Sequence, residues 1–312
     1  RVLYVYMGDI SRLDKAKLLY EDYKKKKDKT LLEEAVKLLE GEDSPQALNQ
    51  LGLIYTELEK FDEAEESFRK ALKKSKNEED ISIIKFNLSI CLFRKRDLSS
   101  AYQLLKELSL VKSVVKVPAQ RLLAKVCLAM GDIKHVDEAR AILENFDQPT
   151  EDLIVAYIYL ARNGKREYLK KALELARILG NKKLLAEALL TSDKEEDLEE
   201  ALTIFRELND VRGEARTLYR LSFYRPDLLY EALQKLEEYG EGTDSDKVRL
   251  LNELYKRTNV IDFLKKAINY AERANETLFL ARAYVELSKH ENEVENLRKA
   301  VRYYEEFISK HF

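Results

Sequence analysis

A small alanine recurs along this chain inside one helix-forming pattern, at Ala35, Ala64, Ala101, Ala139, Ala172, Ala201, Ala232, Ala267 and Ala300. Successive members lie 29 to 38 residues apart and about 33 on average, the period of repeats built from pairs of helices. A helix pair of that length cannot bury its apolar face alone, so copies must stack and share a continuous core. The recurrence predicts a helix-pair solenoid, an architecture that presents a long surface on which a partner can be held.

Composition agrees with an array of helices. Gly (9) and Pro (4) are scarce in 312 residues and 36% of the chain is charged, so breakers are few and strong helix formers fill most positions. No Ser, Gly or Pro-rich linker interrupts the pattern. It predicts one elongated domain over residues 1–312, with irregular first units over 1–44, more regular units over 45–148 that degrade after the first, and divergent helix pairs over 149–312. A net charge of −2 gives no overall attraction to nucleic acid or to an anionic membrane. The longest unbroken apolar run, Leu153 to Ala161, is nine residues, too short to cross a bilayer. Cys91 and Cys127 are too few for a disulfide framework, which points to a reducing, cytoplasmic setting. Abundant Lys and Glu beside two Met and two Cys lean towards a thermophilic source.

Punctuation follows the same order of helix, turn, helix. Ser44-Pro45 reads as an N-cap followed by Pro at the first helical position, and Pro118, Pro149 and Pro226 mark further junctions. Capping boxes are expected at Thr30 with Glu33 and at Ser192 with Glu195. Gly41, Gly131, Gly164, Gly180, Gly240 and Gly242 fall where the apolar period breaks, as C-caps or turns require.

At residues 45–77 the run Leu48, Leu51, Gly52, Tyr55, Ala64, Phe68, Ala71 resembles the tetratricopeptide repeat, with Leu48 in place of the family's Trp and Lys76 in place of its closing Pro. Gly52 and Ala64 are small where two helix backbones approach, and Leu51, Tyr55, Phe68 and Ala71 fill the space around them. The next unit keeps Leu88, Ser89, Leu92, Ala101, Leu105 and Leu108, and the fourth keeps Leu123, Ala124, Cys127, Ala139, Leu143 and Phe146. Further on, residues 215–222 align with 281–288, each octet six residues beyond an Asn, Asn209 or Asn275. The resemblance implies an all-α, right-handed αα-superhelix of about nine repeats that grips a protein or peptide in its concave groove. Armadillo-like and pentatricopeptide solenoids are the alternative helix-pair architectures.

Two expectations concern the ends. Residues 7–16 match residues 130–139 without a gap, which places Val2 to Tyr6 at the end of a helix whose beginning is missing and marks the chain as a fragment or processed product. Ala16 and Ala35 are then so close that a helix near residues 12–40 must break the strict pairing. In the last helix Leu297, Ala300, Tyr304 and Phe307 are expected on the packed side, leaving Val301, Ile308 and Phe312 uncovered, so self-association through uncapped ends is expected.

Residues for catalysis are missing from the sequence. His135, His290 and His311 have no His or Cys neighbour at ligand spacing, and there is no Gly-rich phosphate loop, Gly-x-Ser-x-Gly elbow or His-Glu-x-x-His. Cys91 and Cys127 read as buried structural cysteines. The pairs Glu65-Glu66 and Glu199-Glu200 read as solvated carboxylates. The basic runs Lys24 to Lys27 and Arg94 to Arg96 suit helix C-termini and lack the interleaved aromatics of a nucleic-acid binder. No metal, cofactor, nucleic acid or membrane is expected.

A second apolar stripe on the first helices is more informative. Ile83, Phe86, Ile90 and Phe93, with Asn87 among them, fall at positions that line the concave groove in tetratricopeptide repeats. The following units place Arg121, Leu122, Lys125 and Leu128 there, then Leu153, Ile154, Tyr157 and Leu160. Such a groove suits a peptide with apolar and acidic side chains, whereas a tightly wound superhelix would bury the same residues against neighbouring helices. The carboxylate clamp of chaperone-tail binders is absent. Asn87 matches its middle Asn, but Asn49, Leu53, Pro118 and Leu122 stand where the other polar residues belong. The sequence therefore reads as a non-enzymatic interaction module, with a signal-responsive regulator or a homo-oligomeric assembly scaffold as the alternatives.

Overall fold

The computed structural model describes residues 10–312, so the expectation for Val2 to Tyr6 and the start of the 7–16 match lie outside the described residues. All regular structure among them is helical, eighteen α-helices that alternate along the chain as first and second helices. They belong to two compact units, Arg1–Asn163 and Gly164–Phe312. The first unit holds α1 (Arg12–Lys26), α2 (Lys29–Leu39), α3 (Pro45–Glu57), α4 (Phe61–Lys74), α5 (Glu78–Arg94), α6 (Leu98–Leu110), α7 (Lys116–Met130), α8 (Ile133–Glu144) and α9 (Glu151–Arg162). The second holds α10 (Glu167–Leu179), α11 (Lys182–Leu190), α12 (Glu195–Glu207), α13 (Val211–Leu221), α14 (Leu228–Tyr239), α15 (Asp244–Thr258), α16 (Ile261–Ala274), α17 (Thr277–Ser288) and α18 (Glu293–His311). Within each unit every helix packs on the next, and first helices also meet, α3 with α5, α5 with α7, and α11 with α13.

The recurrent alanines explain the packing. All nine lie in second helices and are closed to solvent, with Ala300 the most exposed at 1%. A larger side chain at any of them would push a neighbouring helix outward. Gly52 of α3 works in the same way, because a Cβ there would stand 2.4 Å from Cε1 of Phe68 in α4. Phe68 is itself fully buried, and burying such a ring contributes about 1.5–3 kcal/mol. In the second unit Gly213 of α13 meets Phe205 of α12, where a Cβ would come within 2.3 Å of the ring.

Helix ends follow the expected chemistry with two corrections. Ser44 caps α3 by accepting from the Ala47 amide, with Pro45 at the first position, and Gly131 and Gly180 close α7 and α10 at φ 69° and 67°, a conformation that suits glycine. The cap of α2, however, is Asp28, whose carboxylate accepts from the Thr30 amide and hydroxyl. Asp28 stands two residues before the expected Thr30, so the helix begins earlier and Thr30 lies inside its first turn. Ser192 likewise lies before α12 rather than at its cap. Its hydroxyl accepts from the Lys194 amide and donates to Asp197 at 2.5 Å.

The first two helices also differ from expectation. Lys27, left-handed at φ 56°, turns the chain between α1 and α2, which pack as an ordinary pair and bury Ala16 and Ala35 in one core. The pairing is unbroken because Ala16 belongs to a first helix and Ala35 to a second. In α18 the packed side is rotated from the expected one. Asn296 and Ala300 are buried and Tyr303 stacks on Tyr284 of α17 with ring centroids 5.8 Å apart, whereas Leu297 and Tyr304 are exposed. The Asn296 side chain is tied to the turn before α18 by donating to the Glu291 carbonyl at 2.8 Å, on the same edge as Ala300 and Tyr303.

Candidate functional site

In the first unit the candidate face lies on α5, between its neighbours α3 and α7. Ile84, Leu88, Cys91 and Leu92 form the buried stripe of α5, and Ile83, Phe86, Asn87, Ile90 and Phe93 lie beside it, each half-buried. Helix α5 is thus apolar on two sides, one spent on the core and one left partly open. Asn87 Nδ2 donates to Asn49 Oδ1 of α3 at 3.1 Å, joining the two first helices. A small hollow of about 60 Å³ bordered by Asn49 and Ile83 opens next to it. On α7, Arg121 and Lys125 are exposed and Leu128 is half-buried. The Arg121 guanidinium lies over the Phe146 ring at 4.4 Å, so its charge is already in contact with an aromatic face.

On α9 the expected groove residues are core. Ile154 is inaccessible, Tyr157 is 6% exposed, and Leu153 and Leu160 are buried with them. The Tyr157 hydroxyl donates to Glu144 Oε1 at 2.7 Å. Helix α9 is apolar nearly all round, as a helix covered on several sides must be. Leu51, Gly52, Ala64, Phe68 and Ala71 are buried, and Tyr55 is half-buried along a 300 Å³ hollow between α2, α3 and α4.

A larger opening that the sequence reading missed lies in the second unit. A cleft of about 660 Å³ is bordered by Asn252, Tyr255 and Lys256 of α15, by Asn259 just beyond it, by Leu264 of α16, and by Leu278, Phe279, Arg282, Ala283 and Glu286 of α17. Asn252, Lys256 and Asn259 repeat at steps of four and three, and Leu278, Arg282 and Glu286 at steps of four, so each helix gives one edge. That spacing is legible in the sequence but polar, and a search for apolar stripes passes over it. The Glu286 carboxylate is held below the usual range by bonds from Lys289 and from the Tyr255 hydroxyl. Tyr255 also lies 2.8 Å from His290 Nε2, and burial followed by its bond to Glu286 pushes its own pKa up. Among the described residues no carboxylate pairs with Lys256 or Arg282. Leu278 and Phe279 set apolar surface beside these two cations, which suits an anionic group carried on an apolar segment.

Neither cysteine is poised for chemistry. Cys91 and Cys127 are both buried and free. Burial raises both thiols, Cys127 to about 12 with the Glu138 carboxylate adding to the effect, so neither is a thiolate near neutral pH. Among the described residues no three His, Cys, Asp or Glu side chains gather as a metal ion requires, and no helix is long and apolar enough to cross a membrane.

The family model for the tetratricopeptide repeat matches residues 45–77, the α3–α4 pair in which Gly52 receives Phe68. Residues 45–77 are thus a tetratricopeptide repeat. The fold of the chain is similar over almost its whole length to the apo form of RapI, at 15% identity, covering 96% of each chain with a TM-score of 0.61. It is also similar to aspartyl phosphate phosphatase F from Bacillus subtilis, at 14% identity, covering 98% of this chain and 95% of that one with a TM-score of 0.48. No curated protein sequence matches it. At 15% identity the likeness to RapI is one of fold, the stacked helix-pair architecture.

Proposed function

We propose that this tetratricopeptide repeat protein is a non-enzymatic interaction module that captures an extended or helical segment of a partner protein, seating an acidic side chain of that segment in the α15–α17 cleft. The observation that carries the reading is the pairing of two cations without acidic partners, Lys256 and Arg282, with Leu278 and Phe279 along one 660 Å³ opening. A guanidinium recognises a carboxylate through two parallel hydrogen bonds, and the adjoining apolar surface selects the neighbouring side chain. Asn252 and Asn259 supply amide groups able to bond the backbone of an extended chain. In the first unit the half-buried Ile83, Phe86, Ile90 and Phe93 are assigned the same role towards apolar side chains. Ile154 and Tyr157, being core, are left out of it.

Selection of binders from a random peptide display library tests this. Enriched sequences are expected to combine acidic with aromatic or aliphatic residues, and a Lys256→Glu/Arg282→Glu variant is expected to lose at least about tenfold in affinity for them with an unchanged melting temperature. Failure to enrich any peptide, or enriched peptides that bind the variant equally well, would overturn the reading. A regulator differs from a plain adaptor in one measurable respect, a change of molecular dimensions on binding. Small-angle scattering with and without a selected peptide separates them.

A further inference from the structure

Helix α18 carries an apolar stripe that nothing in the described chain covers. Val294, Leu297, Val301, Tyr304 and Ile308 follow one another at alternating steps of three and four residues, the spacing of a heptad seam. They are 63, 39, 55, 36 and 55% exposed. The stripe is distinct from the edge by which α18 packs on α17, where Asn296 and Ala300 are buried and Tyr303 stacks on Tyr284. A continuous apolar stripe of this kind marks a contact surface, whereas scattered exposed side chains do not.

The charges beside the stripe identify what fits it. Arg298 and Glu305 occupy equivalent positions one heptad apart on its outer flank, and both are exposed. Neither is engaged by another described residue, although neighbouring charges pair along the helix, Lys299 with Glu295 and Lys310 with Glu306. The two free charges are opposite in sign, an arrangement that complements itself when reversed.

We infer that α18 pairs antiparallel with α18 of a second copy of this chain about a two-fold axis. Val301 then layers on Tyr304 of the copy and Leu297 on Ile308 of the copy. Arg298 of each chain faces Glu305 of the other, because equivalent flanking positions oppose one another across an antiparallel helix pair. A parallel pairing instead places Arg298 next to Glu293 of the copy and leaves Glu305 without a cation. The two-fold contact uses one surface twice and closes at a dimer, unlike end-to-end stacking, which would continue to grow. It is independent of the cleft and its occupant.

Sedimentation velocity over a concentration series on the 312-residue chain tests the pairing. The parent chain is expected to dimerise and to stop at the dimer. Arg298→Glu and Glu305→Arg are each expected to weaken dimerisation roughly tenfold by setting like charges opposite one another. The double variant Arg298→Glu/Glu305→Arg restores opposite charges across the axis and is expected to recover it, a recovery that general damage to the fold cannot produce. Val301→Glu is expected to give a monomer with unchanged helical circular dichroism. A parent chain that remains monomeric to millimolar concentration, assembly beyond the dimer, or a double variant no better than the singles would overturn the inference. The stripe would then belong to a different protein or to another part of the polypeptide.

Discussion

The α3–α4 pair and the neighbouring helices α12 and α13 make the same contact in opposite chain orders. In the first, Gly52 precedes the Phe68 that lies across it. In the second, Phe205 precedes Gly213. Both glycines carry a threonine one turn on whose hydroxyl donates to the glycine carbonyl, Thr56 to Gly52 at 2.7 Å and Thr217 to Gly213 at 2.8 Å. Both phenylalanines are fully buried. The close approach is therefore a property of helix packing and not of a linear motif, and only the copy written as glycine then phenylalanine matches the family model.

Chain order changes what the contact does. Gly52 against Phe68 closes one helix pair from within, whereas Gly213 against Phe205 joins the second helix of one pair to the first helix of the next. The same region of the second unit carries further ties between successive first helices. Arg220 of α13 donates to the carbonyls of Leu190 and Ser192 at the end of α11, and Arg257 of α15 donates to the Ser222 carbonyl at the end of α13. These guanidinium groups satisfy helix-end acceptors that would otherwise need water. Between α3 and α5 the corresponding ties are Asn87 to Asn49 and Arg94 to Glu57 at 3.3 Å.

The largest effect that tests this comparison is removal of the rings. Phe68→Ala and Phe205→Ala are each expected to cost about 3–5 kcal/mol in urea unfolding followed by far-ultraviolet circular dichroism. Amide exchange should locate the damage differently, within α3 and α4 for the first variant and across both α12 and α13 for the second. Faster exchange in α12 with α13 unaffected would show that Phe205 is not a joint between pairs.

Next in size are the glycines. Alanine gains about 1 kcal/mol over glycine in an unconstrained helix interior. At Gly52 and Gly213 the new Cβ meets a ring with no room to move, so Gly52→Ala and Gly213→Ala are expected to lose roughly 1–2 kcal/mol net. Pairing each with Phe→Leu at its partner should recover part of the loss in a double-mutant cycle. A stabilising Gly213→Ala would mean that the two contacts are not equivalent.

The smallest expected effect is electrostatic. Asp210 caps α13 by accepting from the Gly213 amide at 2.9 Å and lies 3.3 Å from Lys183 Nζ, while α4 starts at Lys60 without a side-chain cap. Burial alone would raise the Asp210 pKa, but those bonds outweigh it and hold the carboxyl below its ordinary value. Its contribution is thus complete above the unfolded pKa of about 4 and is lost as pH falls through the lower folded value. Asp210→Asn keeps a capping oxygen that does not titrate in this range. The variant is expected to lose about 1 kcal/mol or less at neutral pH and to show a flatter fall in urea midpoint below about pH 4. An acid profile parallel to that of the parent would remove Asp210 from the account.

Much of this protein was determined by its sequence alone. The alanine period set the helix-pair architecture, since only small residues survive at repeated backbone contacts, and all nine alanines proved buried. Gly52 with Phe68 was readable for the same reason. The sequence also showed that α5 is apolar on two sides. Tertiary structure decided which of those sides is open, because periodicity places residues on a common face without saying what that face meets. Hence the half-buried Ile83 and Phe86 differ from the inaccessible Ile154, although the pattern treats them alike. Hence also the rotated packing edge of α18, and the cleft at Lys256 and Arg282, whose polar spacing looks like any solvated helix until α15 and α17 stand side by side. The angle at which one helix crosses another depends on side chains from both, and no single helix's sequence contains it.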